Sequence, residues 1–192
     1  MLRITDNGNS EYVIIIRKNH SASEKTAAEE LAAYLKKITD AEIPVKTDDE
    51  KKTDHEIVIG FTNRGGKGKK ELGEEGFTIK TEGKRLFILG SEVRGALYGV
   101  YSFLEKCCGC RFYTDTCERV PQMNMLTVPE IDCTELPGFE YRNVYWFAQG
   151  GEMISAKLKN NGGMGHELTE RVGGGINYIG SFCHTFPDLG ET

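Results

Sequence analysis

RGALYGVYSFLEKCCGCRFY, residues 94–113, reads as an amphipathic helix that runs into a strand. Leu97, Val100, Tyr101 and Leu104 recur at helical spacing, Gly109 supplies a stop, and residues 111–113 follow as a short β segment. A helix with one apolar face needs a surface to lie on. The sequence on either side is therefore read for a sheet.

Upstream, YVIIIR (12–17) is an apolar, β-branched run suited to a covered strand. Ser21 and Glu24 have capping-box spacing, and Ala28, Leu31, Leu35 and Ile38 mark one face of the helix that follows. A short strand at 43–46 is entered through Pro44, 47–55 is a polar loop, and EIVIG (56–60) reads as a buried strand. GFTIKT (76–81) and RLFILG (85–90) are joined across Glu82, Gly83 and Lys84, which predicts a hairpin. The order gives a mixed sheet with both helices on one face.

Downstream, prolines at 121, 129 and 137 give 114–138 the look of a linker with one strand at 125–128. FEYRNVYWF (139–147) is aromatic and β-prone, 152–159 suits a short helix, and 176–182 suits a further strand. That alternation resembles the opening of an α/β repeat. Strands lacking their neighbours carry unpaired edges and uncovered apolar faces, so poor order is expected after Pro137.

Composition excludes several function classes. A net charge of −5 over 192 residues leaves no basic excess for nucleic acid, and no stretch approaches membrane-spanning length. With a polar N-terminus that lacks the apolar core of a signal peptide, the chain reads as soluble and cytoplasmic. Oligomeric state is not legible. Of six cysteines, Cys107, Cys108 and Cys110 crowd one helix end, where a disulfide framework would spread them and a zinc site would want paired CxxC spacing. They read as buried free thiols.

Other candidates weigh against chemistry. The loop from Phe61 to Gly76 has glycines and lysines, but Gly66-Lys67 stands where a phosphate-binding loop needs Lys followed by Ser or Thr, so it reads as a solvated loop. His166-Glu167-Leu168-Thr169-Glu170 lacks the second histidine of HExxH and sits among glycines, which argues against a metal. Arg94 and Arg111 flank the helix and suit salt bridges or helix-end hydrogen bonds. His184, after Cys183, fits either a core histidine or a ligand contact, and adjacent strand residues face opposite ways, which disfavours a Cys–His pair. Trp146 fits either core packing or stacking on a sugar.

AAEELAAYLKKITDAEIPV, EIVIG, EGFTIKTEGKRLFILG, RGALYGVYSFLEKCCGCRFY and PGFEYR together resemble the accessory domain that precedes the catalytic barrel in bacterial glycoside hydrolases, including family 20 hexosaminidases, family 67 α-glucuronidases and family 163 endo-β-N-acetylglucosaminidases. KLKNNG (157–162) and GGGINYIGSFCHTF (173–186) resemble the start of the barrel in family 163 and its broader DUF4838 relatives. The resemblance implies that Trp146, Asn161 and His184 lie near the sugar-binding face, since barrel sites form at the C-terminal ends of strands. It places the catalytic carboxylates beyond Thr192, because a (β/α)₈ barrel takes on the order of 200 residues or more.

The expected architecture is α+β (an α/β sandwich): a mixed sheet with two helices on one face, followed by an incomplete (β/α)₈ barrel start. Residues 1–135 form the accessory domain and 136–192 a truncated barrel. The expected function is that of the N-terminal fragment of a glycoside hydrolase acting on N-acetylglucosamine- or uronic-acid-containing glycans, inactive alone, without catalytic residues, metal or cofactor. Its partner is a glycan met through the complete parent protein. The alternative is a free-standing glycan- or protein-binding module.

Overall fold

The computed structural model describes residues 1–65, 70–163 and 166–176. In chain order the strands are β1 (Leu2–Asp6), β2 (Val13–Ile16), β3 (Val45–Thr47), β4 (Glu56–Ile59), β5 (Phe77–Glu82), β6 (Arg85–Gly90), β7 (Arg111–Phe112), β8 (Glu118–Arg119), β9 (Met125–Val128) and β10 (Asp132–Glu135). The α-helices are α1 (Ala22–Thr39), α2 (Gly95–Lys106) and α3 (Glu152–Lys157).

A six-stranded mixed sheet runs β10-β5-β6-β4-β2-β3, with β3, β2, β4 and β6 parallel and the β5–β6 hairpin and β10 antiparallel. The apolar runs are continuous because both faces are covered. Ile14, Ile16, Ile57, Ile59, Leu86 and Ile88 share one core with α1 and α2, so both helices lie on one face as expected. Val13, Ile15, Val58, Phe87 and Leu89 form a second cluster on the other face, with Phe61 packed against it.

Local chemistry fixes the helix ends. Ser21 Oγ accepts from the Glu24 amide and the Glu24 carboxylate accepts from the Ser21 amide, closing the capping box. Glu24 also takes a 2.8 Å hydrogen bond from Arg17 Nε, which ties the start of α1 to the end of β2. At the far end of α2, Gly109 adopts φ +75°, a conformation that favours glycine.

Glycine sets how closely α2 approaches the sheet. A Cβ on Gly99 would stand 2.8 Å from Ile88 Cγ2 and 3.2 Å from Phe77 Cβ, and one on Gly95 would stand 2.5 Å from the Gly76 carbonyl oxygen. Gly95 and Gly99, one turn apart, therefore put the helix backbone almost against β5 and β6. Around that contact Leu97, Val100, Tyr101, Phe103 and Leu104 are buried.

The structure corrects several expectations. β1, β8 and β10 are not among the expected strands, and all three lie where the sequence reads as polar terminus or linker. β1 pairs with β9, far along the chain, and β10 adds an edge strand to the main sheet beside β5. Part of the supposed solvated loop is buried, including Leu72, Glu75 and the side chain of Arg64. Residues 139–147 form no strand, and Phe139, Trp146 and Phe147 are exposed; among the described residues no strand pairs with this run. Helix α3 forms as expected, and the residues after Pro137 are not uncovered throughout: Ile154, Ala156, Leu168 and Val172 join the main core. Among the described residues no strand follows Glu135. The strand expected at 176–182 lies, but for its first residue, outside the described residues, as do Cys183 and His184.

Replacing Gly99 with valine is expected to force α2 off the sheet and lower unfolding stability by about 2 kcal/mol, within the usual range for overpacking. Gly138→Ala, where an added Cβ meets nothing, serves as control and should change stability by less than about 0.5 kcal/mol. Chemical denaturation of the three proteins checks this.

Candidate functional site

A cluster of buried charge lies where 139–176 meets the sheet. Glu75, just before β5, is buried. Its Oε1 accepts from Arg94 Nε at 2.8 Å and from Asn161 Nδ2 at 2.7 Å, and its Oε2 accepts from Arg142 at 2.6 Å. Arg94, the residue before α2, also donates to Glu74 at 2.8 Å and to the carbonyls of Gly173 and Gly174. Arg142 Nε donates to the Lys159 carbonyl, and the Tyr98 hydroxyl donates to the Asn160 carbonyl at 2.9 Å. One carboxylate thus joins the sheet, the helix start and both ends of a later loop.

Backbone geometry shows that the fit is tight. Gly173 adopts φ +87°, and a Cβ there would stand 1.9 Å from the Val93 carbonyl oxygen. The Asn161 carbonyl accepts from the Ile176 amide, and the Asn161 and Gly162 amides donate to the Arg142 carbonyl. Arg94 has the structural role expected of it, and Arg111 makes helix-end hydrogen bonds to the Glu105 and Cys110 carbonyls.

The KLKNNG run is spent on the same attachment. Lys157 donates to Glu118 at 3.1 Å and lies over the rings of Tyr34 and Phe112, Lys159 donates to Glu105 at 2.8 Å, and Asn160 and Asn161 enter the junction. Glu118 also accepts from Tyr34 and Lys37. Burial works against its charge, but the hydrogen bonds from Tyr34, Lys157 and Lys37 prevail and hold its carboxyl below the usual range. Burial, then the bond to Glu118, pushes the Tyr34 phenol up.

Of the three residues expected near a sugar, Asn161 and Trp146 fall within the described residues. Asn161 is fully buried, with its side-chain amide donating to Glu75 and the Glu140 carbonyl and its side-chain oxygen accepting from the Arg142 amide. Trp146 is exposed, between Tyr145 and the nearly bare Phe147, on a turn tied to the β7–β8 hairpin by bonds from Asp115 and Gln149. His184 lies outside the described residues. His166 approaches Ser155 Oγ at 3.5 Å.

A 250 Å³ hollow beside the junction is lined by Glu75 and Glu135 among others, but each carboxylate is held by a cation, Glu135 by Lys106 at 2.6 Å. Glycoside hydrolysis of the usual kind needs one carboxylic acid free to donate a proton, and neither group is placed for that. A larger open groove of about 710 Å³ runs along β1, Tyr12 and His55 and includes none of the expected sugar-binding residues. Among the described residues no group of three or more His, Cys, Asp or Glu side chains is placed to hold a metal.

Sequence reading missed Glu74, Glu75, Arg142 and Gly173. Glu74 and Glu75 looked like solvated loop charges, and only the coincidence of a second arginine in YRN with the RG pair before the helix hinted at a shared anion. Removing the Glu75 charge leaves Arg142 without its anion and Arg94 with Glu74 alone, and breaking a buried pair by removing one partner loses about 3–5 kcal/mol. Glu75→Gln is expected to lose stability on that scale and to open 139–176 to limited proteolysis before the sheet is cut; Glu82→Gln, at an exposed pair, should do neither.

A comparison with curated proteins finds no match. Among solved structures, the chain is similar to a family GH115 4-O-methyl-α-glucuronidase with specificity for decorated arabinogalactans (14% identical, TM-score 0.52, covering 73% of this chain and 19% of that one). It is also similar to a mutant Streptomyces plicatus β-hexosaminidase in complex with GlcNAc (15% identical, TM-score 0.47, 73% and 24%) and to the GH20 β-N-acetylhexosaminidase from Streptomyces coelicolor (17% identical, TM-score 0.47, 73% and 24%). The chain spans about a quarter or less of the length of these proteins. The model of the glycosyl hydrolase family 67 N-terminus matches residues 4–103, from β1 through most of α2. That match covers more than half of the 192 residues, and the chain belongs to the glycosyl hydrolase family 67 N-terminus family.

Proposed function

We propose that the chain is the accessory N-terminal part of a glycoside hydrolase related to family 163 and the DUF4838 group, acting on N-acetylglucosamine- or uronic-acid-containing glycans. Residues 1–135 are the accessory domain, and 136–192 begin a (β/α)₈ barrel whose catalytic carboxylates lie outside this chain. The observation that carries the reading is the Glu75 junction in a member of this family: a buried anion that clamps the segment after the sheet, as a domain that seats a catalytic module requires.

Within this reading Trp146, Asn161 and His184 serve the sugar-binding face in different ways. Exposed Trp146 offers a ring for stacking, since aromatic faces pack on the apolar faces of sugars. Buried Asn161 acts through the loop it fixes. The exposed Tyr145, Trp146 and Phe147 also favour the second reading, a free-standing glycan-binding module.

Incubating the 192-residue protein with N-acetylglucosamine-terminated and uronic-acid-terminated glycans separates these readings. The accessory reading predicts no sugar release above the uncatalysed control and no glycan retention by 1–192 alone. Release abolished by a single carboxylate substitution overturns the placement of the catalytic groups, and retention lost in Trp146→Ala supports the free-standing module instead.

A further inference from the structure

Cys107 and Cys133 stand on two elements far apart in the sequence, the end of α2 and the edge strand β10, which are bonded to one another at the sheet edge. On β10, Cys133 stands opposite Ile79 and Glu135 opposite Phe77, and both Ile79 and Phe77 belong to the core beneath the helices. Directly paired residues share a sheet face, so Cys133 and Glu135 point to the helix side. There Lys106 donates to Glu135 at 2.6 Å, which brings the end of α2 over β10. Cys107, the next residue, packs against the same core, and Cys133 is only partly covered.

We propose that Cys107 and Cys133 form a reversible disulfide that locks β10 onto the end of α2. The two thiols are electrostatic neighbours: burial raises the Cys107 thiol, the Lys106 charge opposes it and the charge of Cys133 raises it again. Burial is the main cause that raises Cys108 and Cys110, followed for Cys108 by Cys110 and Cys107 and for Cys110 by Glu118. Among the described residues β10 has a single ladder partner, β5, so a small shift of this edge strand toward a disulfide's close Cβ spacing disturbs no second ladder.

The oxidant is a low-molecular-weight disulfide such as oxidised glutathione. A thiolate of the pair attacks one glutathione sulfur, breaking that disulfide, forming a mixed disulfide and releasing one reduced glutathione. The second cysteine, as thiolate, attacks the protein sulfur of the mixed disulfide and expels the second glutathione. Two protein thiols are thereby oxidised, one glutathione disulfide is reduced, and the two thiol protons pass to the departing glutathione thiolates. Since Cys107 is held mainly as the neutral thiol, the reaction should quicken with rising pH. The closed bond lies just before the crossing at Leu136-Pro137, so it stiffens the approach to Arg142 and the Glu75 junction.

The test incubates the full chain with oxidised glutathione near pH 8, then blocks free thiols and maps peptides by mass spectrometry. The expected result is a Cys107–Cys133 linkage reversed by dithiothreitol, with a melting temperature several degrees above that of the reduced protein, roughly as a loop-closing bond gives in a chain of this size. Cys133→Ser should abolish the linkage and the shift, whereas Cys117→Ser, on the exposed hairpin, should leave both. A map showing Cys108–Cys110 or another pair, or Cys107 and Cys133 still free after Cys117 has reacted, overturns the proposal. Because the map is read on the unsubstituted protein, a variant that fails to fold does not decide the outcome.

Discussion

The carboxylate of Glu75 is the point on which the arrangement of this chain depends. A buried carboxylate is costly unless its charge and its lone pairs are met, and here two guanidinium groups and one amide meet them within 2.6–2.8 Å. Each donor comes from a different place: Arg94 from the start of the central helix, Arg142 and Asn161 from either end of the later segment. The anion ties the segment after the prolines to the sheet and to the start of the central helix.

The central helix is suited to that task by its small residues as much as by its apolar ones. Gly95 and Gly99 let α2 settle on β5 and β6, which brings Arg94 beside Glu75 and turns Tyr98 toward the Asn160 carbonyl. Burial pushes the Tyr98 phenol up, with the Glu75 charge adding to it, so the hydroxyl remains a donor across the ordinary pH range. RGALYGVY therefore encodes geometry: glycines for approach, an arginine for the anion and a tyrosine for the incoming backbone.

Most of the sheet was legible in the sequence because its signals are local. Continuous apolar runs, the Ser21–Glu24 box and the Gly83 turn each carry their own physics within a few residues. What escaped depends on partners distant in the chain. β1 becomes a strand because β9 pairs with it, and β10, with only Cys133 apolar among its four residues, because β5 offers an edge. The aromatic run 139–147 has strand propensity but no such partner among the described residues, and its backbone is used for capping and turns around Arg142 and Asn161 instead. The junction itself was half visible. Arg94 read as a structural arginine, while Glu75 looked like one more charge in a polar loop, and its burial follows from a loop that only the fold brings over it.

The claim that this junction is a rigid joint is tested most directly by native-state hydrogen exchange at the Asn161 amide, which donates to the Arg142 carbonyl at 3.0 Å, compared with the Ile57 amide in the centre of the sheet. If the joint opens only with the rest of the fold, the two amides exchange within about tenfold of each other. Exchange at Asn161 as fast as in the exposed loop at 49–53, with Ile57 still protected, would show that the later segment detaches freely and that Glu75 does not hold it.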